Sequence, residues 1–178
     1  MRRPTSTSRP FARAAALAAA AVALSALGAG AGSARRASAP RCATSGLVVW
    51  LDTQGNGAAG SVFYHLELTN LTLHACTLVG FPGVSAVDLA GHRLGSPATW
   101  NHAQQPERVT LGAGASASAL LRIVQAANYP ASTCRPVTAA GLRVYPPNQT
   151  APRVVPFPFR ACARRGPVVL TVDPVRKA

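Results

Sequence analysis

From Val62 to Leu68 the side chains alternate with a period of two. Val62, Tyr64, Leu66 and Leu68 stand on one side, and Phe63, His65, Glu67 and Thr69 on the other. Only a strand places alternate residues on opposite faces, and one dry face beside one wet face describes a half-buried antiparallel strand. Leu47-Val49-Leu51, Leu142-Val144 and Val168-Leu170-Val172 repeat the pattern at shorter length. Further strand-like runs are Cys76–Val79, Val84–Leu89, Val109–Leu111, Ala117–Val124 and Val154–Phe159. Turn signals separate them at Gly55-Asn56-Gly57, Phe81-Pro82-Gly83, Gly112-Ala113-Gly114 and Pro146-Pro147-Asn148. Pro156 and Pro158 cannot donate ladder hydrogen bonds, so the last run belongs at a sheet edge. Ala117–Ala127 could pass for a helix by composition, but β-branched Ile123 and Val124 favour a strand. About eight short strands with turns between them make an all-β sandwich. The 15 Gly and 15 Pro oppose a helical bundle, and a hydrophobic fraction of 48% opposes wholesale disorder.

The first 34 residues read as an address. Arg2, Arg3, Arg9 and Arg13 precede an apolar run from Ala14 to Leu27, and small residues follow from Gly28 to Ala34. That order is a cleaved secretory signal peptide, with cleavage after Ala31 or Ala34. The run falls short of the roughly 20 residues a membrane span needs, so the mature chain is expected to have no stable span. Residues 35–41 form a short linker, 42–173 the sandwich domain and 174–178 a basic tail. Cys42 lacks the context of a lipid-modified cysteine, so the chain reads as freely secreted, extracellular or envelope-associated. Removing four Arg with the signal lowers the formal charge from +13 to +9.

Cysteine usage agrees with export. Cys42, Cys76, Cys134 and Cys162 all follow the signal, and an even number in an oxidising compartment predicts two disulfides. No two lie two to four residues apart, as zinc ligands do. Three connectivities exist. Cys42–Cys76 with Cys134–Cys162 is favoured, because each bridge closes a loop of about thirty residues, stabilising by roughly 3 kcal/mol in the chain-entropy model.

Several short motifs stand in a recognisable order. Leu68-Thr69-Asn70 runs into Cys76-Thr77-Leu78-Val79-Gly80-Phe81-Pro82-Gly83-Val84. Val109-Thr110-Leu111-Gly112-Ala113-Gly114-Ala115-Ser116-Ala117 follows, then Cys134, Leu142-Arg143-Val144-Tyr145-Pro146-Pro147 and Cys162. This order resembles the secreted "domain of unknown function" family numbered four-two-three-two, common in high-GC Gram-positive bacteria. The resemblance spans roughly Cys42 to Val172. It implies an extracellular immunoglobulin-like sandwich and no particular activity. Where members carry a short Ser/Gly-rich turn after the Asn, this chain has Leu71-Thr72-Leu73-His74.

Catalytic chemistry finds little support, and no enzyme is expected. After the signal there are five acids, Asp52, Glu67, Asp88, Glu107 and Asp173, and paired carboxylates would need two in one cleft. His65 and Glu67 share one strand face, but a solvated pair is the plainer reading. Gly83-Val84-Ser85 lacks the second Gly of a nucleophile elbow. Phosphate loops and dinucleotide fingerprints are missing. His65, His74, His92 and His102 lack metal-ligand spacing, so no metal or cofactor is expected. Asn70-Leu71-Thr72 and Asn148-Gln149-Thr150 match glycosylation sequons, which the bacterial resemblance implies are chance matches.

Binding is the remaining class. Gly91–Gln105 is the least sheet-like stretch and holds Trp100-Asn101-His102, so Trp100 and His102 are candidate contacts on a loop. Arg153, Arg160, Arg164 and Arg165 cluster by sequence near Cys162 and could meet an anionic cell-wall polymer. A secreted or surface protein is the alternative partner, with an inhibitor-like or adhesion-like role. Nucleic acid is not expected, because no aromatic–basic interleaving is present. The oligomeric state is not legible.

Overall fold

The computed structural model describes residues 38–178; the expected signal peptide lies outside them. Strands β1 (Leu47–Ala58) and β2 (Ser61–Asn70) form a hairpin, followed by β3 (Cys76–Val79) and β4 (Gly83–Val87). Two-residue strands β5 (Arg93–Leu94) and β6 (Thr99–Trp100) precede β7 (Arg108–Leu111) and β8 (Ser116–Val124). Then come β9 (Pro136–Tyr145), β10 (Arg153–Cys162), β11 (Leu170–Val172) and β12 (Arg176–Lys177). Eight of these strands have four residues or more, which matches the expected number. Of the four shorter ones, β11 falls within the expected Val168-Leu170-Val172 run, and the three two-residue strands are too short to show a period. Among the described residues, helix is confined to single turns at Thr44–Gly46, Ala126–Asn128 and Ala131–Cys134.

Three sheets result. One has the order β1-β2-β8-β11-β6, with β12 also paired to β8; the second is β10-β9-β4-β5; the third is β3-β7. Pairing between strands is antiparallel except where β6 runs parallel to β11. β10 lies at a sheet edge, as its prolines require, and its register shifts between Pro156 and Phe159. At the carboxyl end, read from sequence as a basic tail, Val175 is buried and β12 pairs with Ser118 and Ala117.

Side chains from all three sheets share one core. Leu66 and Leu121 come from the first sheet, Leu142 and Val144 from the second, and Leu78 and Leu111 from the third. Within β2, Leu66 and Leu68 are fully buried while His65 is exposed, as the alternation demands. Glu67 departs from expectation: it is only 9% exposed. It faces away from Leu66 and Leu68, but its register partners are Trp50 on β1 and Ser118 on β8. Flanked on both sides, a residue of an inner strand loses water without entering the core. Val168 is exposed and Val169 buried, because the strand begins only at Leu170.

The first reversal does not fall at its expected turn. Gly55-Asn56-Gly57 lies inside β1, at a register shift between Asp52 and Asn56. The reversal instead uses Ala59 (φ 34°) and Gly60 (φ 75°), the two left-handed residues that a two-residue hairpin loop favours. Gly55 serves close approach, because a Cβ there would come within 2.5 Å of the Tyr64 ring.

Asn70 organises the neighbouring turns. Its side-chain nitrogen donates to the carbonyls of His74 (2.9 Å), Leu111 (3.1 Å) and Gly112 (3.1 Å). Its Oδ1 accepts from the Thr72 N–H (3.0 Å) and hydroxyl (2.8 Å). The turn after β2 is thereby tied to the turn before β8. Fully buried, Asn70 cannot serve as a glycosylation acceptor in the folded chain.

Two disulfides complete the frame, Cys42–Cys76 and Cys134–Cys162, with Cα separations of 4.8 and 4.6 Å. These are the favoured pairs. The first joins the chain ahead of β1 to β3; the second joins the helical turn before β9 to the end of β10.

Candidate functional site

Trp100 belongs to β6, held against Val172 of β11, and is half exposed. Its indole stacks on Phe81 at 5.1 Å between centroids, and the His102 ring stands 5.6 Å from Phe81 and 6.2 Å from Trp100. Phe81 is the aromatic of the Gly-aromatic-Pro-Gly turn. The adjacent Asn101 donates to Asp173 Oδ1 at 2.8 Å, which fixes the segment to the end of β11. Trp100, expected on a loop, thus lies on a short strand and meets His102 in a small partly exposed aromatic cluster.

The arginines near Cys162 are dispersed. Arg153 begins β10 and donates to the Thr44 and Ser45 carbonyls at 3.1 and 3.3 Å. Arg160 lies seven residues along the same strand, about 20 Å away at strand rise. It donates to Thr138 Oγ1 and the Pro136 carbonyl. Beside it opens an apolar pocket of about 430 Å³, lined by Val62, Tyr64, Ile123, Phe157 and Phe159 among others. Arg164 donates to the Ser132 carbonyl at 3.1 Å, whereas Arg165 lines a different cleft. Neighbours in sequence along an extended edge strand are not neighbours in space.

The cleft at Arg165 gathers arginines that sequence reasoning missed. About 360 Å³ in volume, it is lined by Ser85, Arg93, Gly95, Arg143, Tyr145, Ala163 and Arg165. Ser85 and Arg143 are direct register partners on β4 and β9, and Arg93 pairs with Val87, two residues beyond Ser85. These residues occupy the face opposite buried Val84, Ala86, Leu142 and Val144. Arg143 Nη2 donates to the Gly91 carbonyl at 2.5 Å, which orients its guanidinium. Arg165 arrives on the loop after β10. Main-chain bonds from Gly95 to Ala163, Ala163 to Arg135 and Arg164 to Cys134 hold that loop. Gly95 has φ 60°, and a Cβ there would lie 2.6 Å from the Cys162 carbonyl, so glycine is what lets the two loops touch.

No carboxylate lines this cleft among the described residues. The acid in the adjoining turn, Asp88, is engaged by His92: the His92 N–H reaches Oδ1 at 2.8 Å and the ring Nδ1 stands 3.4 Å from Oδ2. The backbone N–H of His92 is the main cause holding the partly exposed Asp88 carboxyl below its ordinary range. Sequence already offered one signal for the cleft. Leu142-Arg143-Val144 alternates, so Arg143 had to point away from the core.

His65 and Glu67 form no pair: His65 Nδ1 meets Ser118 Oγ at 3.0 Å. Among the described residues no three His, Cys, Asp or Glu side chains are grouped to hold a metal. None of their helices is long and apolar enough to cross a membrane. A family model described as Domain of unknown function (DUF4232) matches residues 42–176. No curated protein and no solved structure matches the chain.

Proposed function

The chain belongs to the DUF4232 family, and from that premise we propose that it is a secreted, non-catalytic binding module for an anionic component of the cell envelope. In this reading the two larger sheets pack as an immunoglobulin-like sandwich that displays its charge outside the cell. The supporting observation is uncompensated positive charge. Residues 38–178 carry twelve Arg and Lys against five Asp and Glu. Among them the one Arg–carboxylate contact is Arg176 to Glu107, at 3.8 Å. Such a surface attracts polyanions over a distance set by salt, about 8 Å at physiological ionic strength. The two disulfides favour an oxidising compartment.

Sedimentation of the protein with purified cell walls across a salt series tests this. The bound fraction is expected to fall steeply as salt rises. Absent binding at low salt, or binding indifferent to salt, would refute it.

A second reading, a protein-interaction domain, has one observation in its favour. Val48 and Trp50 stand 42% and 44% exposed on edge strand β1, facing away from the core. Salt-insensitive capture of a secreted protein that Trp50→Ala abolishes would favour it.

A further inference from the structure

We propose that the cleft between Arg93, Arg143 and Arg165 is a discrete binding site for a phosphoryl group. The inference stands on the cleft alone and holds whether or not the protein adheres to cell walls.

Three arginines line the cleft from three separate parts of the chain: β5, β9 and the loop after β10. Their convergence is built rather than incidental. Arg143 is gripped by the Gly91 carbonyl, and the Arg165 loop is stitched to Gly95, Arg135 and Cys134 by main-chain hydrogen bonds. The Cys134–Cys162 bridge anchors the same loop. Like charges gathered without a carboxylate repel one another, and the cleft holds none among the described residues. An anion relieves that repulsion, and a tetrahedral oxyanion offers oxygens in several directions, which suits donors arriving from three sides. Guanidinium forks match phosphate geometry and form hydrogen bonds stronger than neutral ones. Ser85, 9% exposed, supplies a hydroxyl at the base of the cleft, where it can donate to an oxygen that the arginines leave free. Tyr145 closes one side. The polar cleft differs in kind from the apolar pocket beside Arg160, where a phosphoryl group would find one guanidinium that already donates to Thr138 and Pro136.

Titration calorimetry of the disulfide-bonded protein with inorganic phosphate, at fixed ionic strength, tests the site. A saturable isotherm with one phosphate per chain is expected. Arg165→Gln should weaken it about tenfold, the loss of one charge-assisted contact. Arg165 is exposed on a loop held by its main chain, so that variant keeps the fold, and a thermal melt checks it. Arg164→Gln is the matched control, because it removes the same charge one residue away, from a side chain turned to Ser132. It should leave phosphate binding unchanged. No saturable binding to the unmodified protein overturns the proposal, and so does equal weakening by the two variants, which would reduce the effect to net charge. Glycerol 3-phosphate and a poly(glycerol phosphate) polymer then separate the sources. Polymer binding lost in Arg165→Gln assigns the site to a wall phosphodiester, and binding of the monoester alone assigns it to a free phosphate ester.

Discussion

Replacing Asn70 by alanine is expected to destabilise the protein by about 3 kcal/mol, more than its small size suggests. The side chain makes five hydrogen bonds within the interior of the turn region. Three carbonyls share its two N–H groups, and two of them keep another donor. His74 still accepts from the Thr72 hydroxyl at 2.9 Å, and Gly112 from the Ala115 N–H at 3.2 Å. The single hydroxyl proton of Thr72 passes to His74, which leaves two N–H bonds and the bond from the Thr72 N–H as the loss, at about 1 kcal/mol each. Urea unfolding followed by tryptophan fluorescence gives the value. With a slope of about 2.5 kcal/mol per molar, the midpoint should fall by roughly 1.2 M. Asn70→Asp is the sharper test, since the shape is kept while an oxygen replaces the nitrogen and faces three carbonyls. It should be at least as harmful as alanine at neutral pH. A loss below about 1 kcal/mol for alanine, or a wild-type midpoint for aspartate, would refute the reasoning.

Leu66→Ala should cost about 2–5 kcal/mol and exposed His65→Ala less than about 0.5, and denaturant melts in the reverse order would overturn the face assignment. Non-reduced peptide mapping should recover Cys42 with Cys76 and Cys134 with Cys162; Cys42 joined to Cys162 contradicts it. Removing either pair should cost roughly 3 kcal/mol in unfolding experiments. By NMR titration the Asp88 carboxyl should ionise below the ordinary aspartate range, so what it adds to the turn is present above that range and fades as pH falls through the depressed value. Because the backbone N–H of His92 is the largest cause, His92→Ala should leave most of that depression intact, and a return to the ordinary range would assign it to the ring.

What could be read in the sequence was what depends on neighbours along one strand. Leu66 against His65, the edge position of Pro156 and Pro158, and the disulfide partners all follow from local spacing. The burial of Glu67 does not, because it is set by the register that places Trp50 and Ser118 on either side. Two-residue strands such as Thr99–Trp100 exist only through pairing with a distant segment and leave no pattern of their own. The arginines divide in the same way. Arg153 to Arg165 are close in number and scattered in space, while Arg93, Arg143 and Arg165 are distant in number and meet, because sheet pairing and not sequence proximity decides which side chains share a face.

The position of β8 has a consequence for the order of folding. It pairs with β2, which precedes it by more than forty residues, and with β11 and β12, which follow it by a similar stretch. The hairpins β1–β2 and β9–β10 close on local contacts and can form within microseconds. The first sheet cannot be finished on that timescale, since its inner strand waits for β11 and β12 and long-range pairing of this kind slows folding. The inner side of β2 stays unpaired until β8 joins it, and β8 stays half paired until β11 follows. The Cys134–Cys162 bridge closes a short loop on this late half of the chain. Formed early, it would narrow the search by which β11 finds β8.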